Sequence, residues 1–175
     1  KYGELHGLVH AIAHAKAEDL RGEFINTSRE GFCHALEVSA FSLIALSAEA
    51  RKIMPEGGSI LTLTYMGSEK VFRDYKIMGV AKAALETSVY YLAADLGRDG
   101  IRINAISAGP VKTMAARGIS NFNTILETVR ERAPLGRNVT QEDIGNTSVY
   151  LLSDLSSAVT GEILHVDSGF NKMGM

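Results

Sequence analysis

Apolar runs alternate with long amphipathic segments along this chain, and the alternation predicts its fold class. Four short apolar runs have the composition of buried strands, at 5–13 (LHGLVHAIA), 59–64 (SILTLT), 101–107 (IRINAIS) and 162–167 (EILHVD). Amphipathic segments between and after these runs predict helices over about 28–54, 75–98, 122–132 and 141–154. Strands that alternate with helices predict parallel βαβ units, with helices covering both faces of one sheet. The pattern therefore indicates an α/β protein.

Capping residues, prolines and glycines set the expected helix ends. The run Thr27-Ser28-Arg29-Glu30 predicts a capping box at the start of the first long helix, and Pro55 with the pair Gly57-Gly58 ends it. Gly100 closes the connection after the second long helix, and Thr140 opens the last one. No internal repeat, low-complexity tract or linker interrupts the pattern, so we expect one domain.

A glycine-rich turn is missing from the α/β pattern. Rossmann-type doubly wound sheets that bind dinucleotides carry G-x-G-x-x-G after their first strand, and this sequence has none. Gly57-Gly58 precedes a strand and is better explained as a simple turn. If 5–13 is the fourth strand of the order 3-2-1-4-5-6, it is left as a bare apolar edge. We therefore expect 1–175 to be the C-terminal part of a single Rossmann-type domain, with the N-terminal strands and glycine-rich loop absent from this chain.

Composition narrows the possible functions. A net charge of −2 and a pI near 6.2 give no electrostatic footprint for nucleic acid or anionic membrane. No run approaches the roughly 18 apolar residues of a membrane span, and no signal peptide opens the chain, so a cytoplasmic protein is expected. The single cysteine, Cys33, has no charged pattern around it and is expected to be a small core residue. His6, His10 and His14 stand four residues apart, about 13 Å per step on a strand, so no metal site is expected.

Two tyrosines and a lysine recur in the stretch YMGSEKVFRDYKIMGVAK, as Tyr65, Tyr75 and Lys82. On a helix, seven residues bring Tyr75 and Lys82 within about 20° of the same face. A lysine there can hold ribose hydroxyls and favour a tyrosine that donates or takes a proton. Tyr65 follows the strand 59–64, at the carboxyl edge where open α/β sheets bind ligands. Spacing alone leaves it equally open that Tyr75 and Lys82 are ordinary residues of an amphipathic helix.

The pattern Tyr-x9-Tyr-x6-Lys, with MGVAKAALE at 78–86, is one of several family-specific motifs in the chain. RINAISAGPVKTMAARGI (102–119) and TGEILHVDSGF (160–170) follow it in order. Together they resemble a divergent branch of the short-chain dehydrogenase/reductase superfamily, the bacterial NADH-dependent enoyl-acyl carrier protein reductases, over essentially the whole chain. The resemblance implies NADH-dependent reduction of the trans-2 double bond of enoyl thioesters carried on acyl carrier protein, in type II fatty acid synthesis. It also implies a homotetramer.

The resemblance assigns catalytic roles to three residues. Tyr75 is expected to hydrogen-bond the thioester carbonyl as hydride reaches the β-carbon, and Lys82 to hold the nicotinamide ribose. Tyr65 is the second active-site tyrosine, near the acyl chain. The cofactor site implied in this way comprises Ile12, Lys82, Val111, Lys112, Thr113, Met114 and Ala115, in which Pro110 to Ala115 pass the nicotinamide and diphosphate. The implied substrate site comprises Ala15, Tyr65, Met78, Ile119 and Phe122, with 114–122 as a mobile lid.

Ordinary explanations compete for some of these residues. Thr113 also suits a helix cap, a role compatible with cofactor binding, and Met114, Ile119 and Phe122 also suit core packing. The sequence departs from the family pattern at three positions. HAIAHA replaces patterns such as HSIAFA, which removes a hydroxyl at Ala11 and brings a titratable ring at His14 near the pocket mouth. Lys76 stands where the family commonly has asparagine.

Two other functions stay open. An ordinary short-chain dehydrogenase would act on a ketone or alcohol, such as a 3-oxoacyl thioester, but it carries Tyr-x3-Lys and a serine thirteen residues before the tyrosine. Here those positions are Gly79 and Thr62, which disfavours it. The third hypothesis is an inactive fragment that lacks the adenosine half-site. The apolar surface of the second long helix is extended by Tyr90 and Tyr91, and the last strand is apolar at the edge of the sheet. We therefore expect a two-fold-based oligomer, a tetramer.

Overall fold

Four parallel strands form the centre of the molecule. The computed structural model describes residues 3–113 and 122–174. Within them the strands are β1 (Gly7–His10), β2 (Gly58–Thr64), β3 (Ile101–Ala108) and β4 (Ile163–Val166), in the spatial order β1-β2-β3-β4. All three neighbouring pairs are parallel. This Rossmann-like α/β architecture confirms the fold class predicted from the sequence, with the last strand at one edge of the sheet as expected.

The helices also follow the sequence pattern. They are α1 (Arg29–Leu36), α2 (Ser42–Arg51), α3 (Lys76–Leu96), α4 (Phe122–Arg132) and α5 (Gln141–Leu152). α1 and α2 form the one long helix predicted at 28–54, joined by a π-helical segment, Glu37–Phe41. The predicted strand 5–13 is longer than β1, because beyond His10 the chain leaves the sheet and forms a loop.

The helix starts match the expected residues, but one cap differs from its prediction. Ser28 caps α1 alone, accepting a 2.9 Å hydrogen bond from the backbone N–H of Gly31. The capping box predicted there is wrong, since Glu30 precedes the third helical position and pairs instead with Lys16 at 2.6 Å. Thr140 does open α5 within a complete capping box, whose acidic member is Asp143.

The core lies on both faces of the sheet, because successive strand residues point to opposite sides. On one face, Ile60 packs in a cluster with Leu43 of α2 and Leu85 of α3. On the other face, the next residue of β2, Leu61, packs against Leu151 of α5. All five of these side chains are fully buried or nearly so. The two-sided burial explains why the strands appear in the sequence as continuous apolar runs.

Two expectations about burial need correction. Cys33 is exposed rather than in the core, because the buried face of α1 carries Gly31 and Ala35, and Cys33 lies between them on the opposite side. The helix Arg29–Arg51 is long and apolar enough to cross a membrane by length and composition, although no such segment was expected from the sequence. Its residues Leu43 and Ala50 pack in the main core.

Candidate active site at the carboxyl edge of the sheet

The carboxyl ends of the strands converge on a cavity of about 410 Å³. Tyr65 directly follows β2, and Pro110 and Val111 come shortly after β3, so the topology brings both segments to one edge of the sheet. The start of α3 closes a third side through Tyr75. The lining comprises Tyr65, Phe72, Arg73, Asp74, Tyr75, Pro110, Val111, Thr113, Phe122 and Ile125. Its lining mixes aromatic and aliphatic side chains with hydroxyl groups and with the charged Arg73 and Asp74, which suits a largely apolar ligand that carries polar groups.

Two tyrosine rings are in direct contact in this cavity. The rings of Tyr65 and Tyr75 meet edge-to-face, with centroids 4.9 Å apart and planes inclined by 68°. Phe72 lies on the other side of Tyr65, with a centroid separation of 5.1 Å. The aromatic contacts restrict both phenols to the edge of the cavity, where they can act on one ligand.

Two glycines make room for the Tyr75 ring. A Cβ atom on Gly67 would lie 2.3 Å from a ring carbon of Tyr75. A Cβ atom on Gly79, one turn into α3, would lie 2.5 Å from the carbonyl oxygen of Gly67. The loop 66–75 packs directly against the backbone of α3, so neither position tolerates a side chain without a shift of backbone or ring.

Burial keeps both phenols protonated. Loss of water contact raises the pKa of Tyr65 to about 12. Burial raises the pKa of Tyr75 further, with smaller contributions from Tyr65 and from the charge of Glu86. At neutral pH each hydroxyl is therefore a hydrogen-bond donor, which is the form needed to stabilise negative charge that develops on a ligand oxygen.

Lys82 lies within α3, two turns after Tyr75, and is 7% exposed. Its ammonium donates a 2.7 Å hydrogen bond to the carbonyl oxygen of Leu63, near the end of β2. Burial lowers the pKa of Lys82 to about 8, and the negative charge of Glu86 opposes that shift. Lys82 is not among the described residues that line the 410 Å³ cavity, and the bond to Leu63 uses one of the three N–H donors of its ammonium.

The other residues predicted for the site divide into three groups. Val111, Thr113 and Phe122 line the cavity with the two tyrosines. Four other predicted residues do not line this cavity. Ile12 is exposed and Ala15 is half-buried, both in the loop after β1, and Lys112 is exposed. Met78 is buried, with its sulfur 3.9 Å from the hydroxyl oxygen of Ser39. Met114, Ala115 and Ile119, and most of the predicted lid, lie outside the described residues.

Four lining residues were not predicted from the sequence as site residues: Phe72, Arg73, Asp74 and Ile125. The first three lie in the loop between the two tyrosines, and the contact between the two rings brings the ends of that loop together. The sequence did contain a signal for these three residues. The two tyrosines are ten positions apart, so a loop must connect them if both lie at one site. Ile125 lies one turn after Phe122 on α4, so helical spacing from a predicted site residue would have identified it.

The departures from the family pattern have partly local explanations. Lys76 has a φ of 37°, in the left-handed region that asparagine tolerates better than lysine. Its ammonium donates hydrogen bonds to the carbonyl oxygens of Leu20 (2.8 Å) and Gly22 (2.5 Å), so it holds the loop after β1 against α3. His14 is exposed, and its Nδ1 lies 2.7 Å from Nε2 of His34. Nothing in the structure explains Ala11.

The three regularly spaced histidines occupy different environments. His10 is buried at the end of β1, with Nδ1 2.9 Å from Oγ1 of Thr62 and Nε2 2.8 Å from Oγ of Ser42. Burial lowers its pKa, and the charge of Lys82 lowers it further. His14 turns to His34 instead. Within residues 3–113 and 122–174, no group of three or more potential metal ligands occurs.

Comparisons with known proteins agree with this geometry. The family model described as Enoyl-(Acyl carrier protein) reductase matches residues 1–171. The enoyl-[acyl-carrier-protein] reductase [NADH] FabI of Bacillus cereus is 58% identical over 172 residues, 98% of this chain and 67% of the relative. The enoyl-[acyl-carrier-protein] reductase [NADPH] FabI of Staphylococcus aureus is 59% identical over 169 residues, 97% of this chain and 66% of the relative. The chain thus spans about two thirds of the length of these curated relatives.

Solved structures give the same result. The crystal structure of the Bacillus cereus enoyl-acyl carrier protein reductase with NADP+ and indole naphthyridinone superposes with a TM-score of 0.98 at 57% identity, covering 100% of this chain and 68% of that one. The enoyl-(acyl-carrier-protein) reductase of Anaplasma phagocytophilum in complex with NAD gives a TM-score of 0.93 at 46% identity, covering 99% and 64%. Sequence, fold and family model agree over nearly the whole chain, which therefore belongs to the enoyl-acyl carrier protein reductase family.

Proposed function

We propose that the protein containing this chain uses NADH to reduce the trans-2 double bond of enoyl thioesters carried on acyl carrier protein. The observation that carries the proposal is the pair of contacting, protonated phenols, Tyr65 and Tyr75, at the cavity on the carboxyl edge of the sheet. Membership of the family supports it, as does the relatives' naming as NADH- or NADPH-dependent reductases.

The residues present suit a nicotinamide cofactor. A buried ammonium, Lys82, and a hydroxyl, Thr113, are donors of the kind that hold ribose hydroxyls and phosphate oxygens. We assign Ile12, Val111, Lys112, Met114 and Ala115 to the same site, as the family resemblance implies. When bound, the cofactor supplies the hydride.

In the proposed reaction the protein stabilises charge on the substrate. Hydride addition at the β-carbon moves the double-bond electrons toward the thioester carbonyl, whose oxygen carries negative charge until the α-carbon takes up a proton. The Tyr75 phenol donates a hydrogen bond to that oxygen, and Tyr65 packs beside it against the acyl chain. The apolar lining, which includes Phe72, Val111 and Phe122, excludes water and strengthens this hydrogen bond. Ala15, Met78 and Ile119 complete the proposed acyl site.

An ordinary short-chain dehydrogenase is the alternative, and two observations disfavour it. The lysine of its Tyr-x3-Lys pattern would stand at Gly79, where even a Cβ atom would lie 2.5 Å from the carbonyl oxygen of Gly67. Its serine would stand at Thr62, whose hydroxyl is fully buried and bonded to the His10 ring and carbonyl. Neither position can present the expected group to the cavity.

Substrate choice tests the proposal directly. We expect NADH to be oxidised when a trans-2-enoyl thioester is added, and Tyr75→Phe to lower kcat by about 10²-fold, the scale of one lost charge-stabilising donor. Tyr150→Phe removes the same hydroxyl from α5, away from the cavity, and should leave the rate unchanged. Replacing NADH with NADPH in the same assay determines the preference between the two. Turnover of a 3-oxoacyl thioester without turnover of the enoyl substrate would refute the proposal.

We further propose that 1–175 forms the C-terminal part of one Rossmann-type domain. The support is that β1 is an edge strand whose Val9 is 51% exposed, an apolar edge that folded proteins cover. The intact mass of the protein isolated from its source tests this. If the mass equals that of these 175 residues and the protein still turns over NADH, both this proposal and the inactive-fragment alternative are wrong.

We also propose a cytoplasmic, two-fold-based oligomer, most simply a tetramer. Two neighbouring helices expose large side chains. The long helix 29–51 exposes Phe41 (58% exposed) and Ile44, and α3 exposes Tyr90 and Tyr91 (73% exposed). An exposed apolar surface on two adjacent helices is stabilised by burial in a subunit contact. Light scattering at micromolar concentration should give a multiple of the monomer mass, and Tyr91→Glu should lower it. A monomeric mass with full activity would contradict this proposal.

A further inference from the structure

Glu86 is a buried acid in α3, 8% exposed, and its hydrogen bonds take no part in the reaction proposed above. One of its carboxylate oxygens, Oε1, accepts two hydrogen bonds, from Oγ1 of Thr64 at 2.5 Å and from Oγ of Ser68 at 2.6 Å. These lengths are those of hydroxyl groups that donate to an ionised carboxylate. The carboxylate of Glu86 thus lies inside the protein, held by two hydroxyls from another segment.

The two hydroxyls stand on either side of Tyr65. Thr64 is the last residue of β2 and directly precedes the tyrosine, and Ser68 follows it by three residues at the end of the short turn Met66–Ser68. The Ser68 hydroxyl also lies 3.1 Å from the carbonyl oxygen of Tyr65. One oxygen of Glu86 thus binds the side chain directly before Tyr65 and the side chain three residues after it.

Glu86 also faces the lysine of the site. It follows Lys82 by four residues on α3, so the two side chains share one face of the helix. The negative charge of Glu86 raises the pKa of Lys82 and so opposes the lowering that burial causes. A buried carboxylate is unfavourable unless opposite charge and hydrogen bonds compensate it, and here the compensating groups are the proposed site lysine and two hydroxyls that flank Tyr65 in sequence.

We propose that Glu86 is a positioning residue of this active site, which orients Tyr65 through Thr64 and Ser68 and supplies the negative charge that faces Lys82. This inference rests on the reductase function proposed above. It assigns two separable effects to one carboxylate, a geometric effect on Tyr65 and an electrostatic effect on Lys82. Different substitutions isolate them, because a glutamine keeps the accepting oxygen and removes the charge.

The geometric effect is tested by removing the two hydroxyls. The double variant Thr64→Val, Ser68→Ala should lower kcat for the enoyl thioester about tenfold, while the Kd for NADH changes less than about twofold, because Lys82 and its carboxylate remain. The variant Thr64→Ser, Ser68→Ala keeps one of the two hydroxyls and should therefore retain more of the rate than the double variant. If the double variant does not fold, Ser68→Ala alone replaces it, since that side chain is only half-buried.

The electrostatic effect is tested with Glu86→Gln. Loss of the charge should move the pH midpoint of NADH binding downward by about one unit, with kcat at saturating cofactor changed much less than in the double variant. A wild-type pH midpoint in Glu86→Gln together with a wild-type kcat in the double variant would overturn the inference. If the reductase proposal itself is wrong, the wild-type protein will not turn over the enoyl thioester. The pH midpoint of NADH binding in Glu86→Gln still tests the role of Glu86 in that case.

Discussion

Affinity for NADH should fall as the pH rises from 7 to 9, because the ammonium of Lys82 is the group that we propose holds the ribose. The pKa of Lys82 is about 8 rather than 10.5, mainly through burial. The protonated fraction is then about 0.9 at pH 7 and about 0.1 at pH 9. If only the charged form binds well, the Kd should rise about tenfold over this range, whereas an ordinary exposed lysine would stay charged throughout.

The stability of the fold changes in the opposite direction over the same range. Since the folded pKa of Lys82 lies below its unfolded value of 10.5, the unfolded chain binds more protons between these two pKa values. The contribution of Lys82 to the free energy of unfolding therefore rises with pH between about 8 and 10.5. A loss of NADH affinity at pH 9 thus cannot be attributed to unfolding driven by this lysine.

Fluorescence titration of NADH at a series of pH values measures the effect, with Lys82→Ala as the decisive variant. The substitution should cost about 1.5–3 kcal/mol, the range for hydrogen bonds to charged groups, which corresponds to a roughly 10- to 150-fold higher Kd at pH 7. It should also remove the pH dependence. Lys52→Ala, at an exposed lysine paired with Glu49, is the matched control and should change neither quantity. Wild-type affinity in Lys82→Ala would refute the reasoning.

Three further predictions concern packing and caps. Gly79→Ala places a Cβ atom 2.5 Å from the carbonyl oxygen of Gly67, so it should displace the loop that holds Tyr75. Both kcat and the melting temperature should then fall. The control is Gly97→Ala, where a Cβ atom would meet nothing within 4 Å, and it should lower neither quantity. Leu85→Ala in the fully buried core should lower the free energy of unfolding by about 2–5 kcal/mol in denaturant titration, and an unchanged midpoint would contradict the packing described. Thr140→Ala removes the cap of α5 and should cost about 0.5–2 kcal/mol by the same measurement, with exposed Thr87→Ala as the control that should not.

Local pattern alone was enough for much of the fold. The strands 59–64 and 101–107 were predicted to within one residue at either end, because a strand covered on both faces must be continuously apolar. Thr140 was identified as a helix start because the Ncap of a helix needs a side-chain oxygen, a requirement that acts within three residues. The position of Tyr65 at the carboxyl edge followed from its place directly after a strand.

The tertiary structure decided what depends on contacts between distant segments. Cys33 looked like a core residue from its type, yet the turn of α1 directs it outward. Glu86 lies within an apolar helix pattern that gives it no special status, and its role appears only because folding brings Thr64 and Ser68 to its carboxylate. The need for glycine at 67 and 79 arises in the same way, from the approach of a loop to a helix backbone. Periodicity along the chain reports which side of an element is apolar, but not which distant atoms that side will meet, since packing in three dimensions sets those distances.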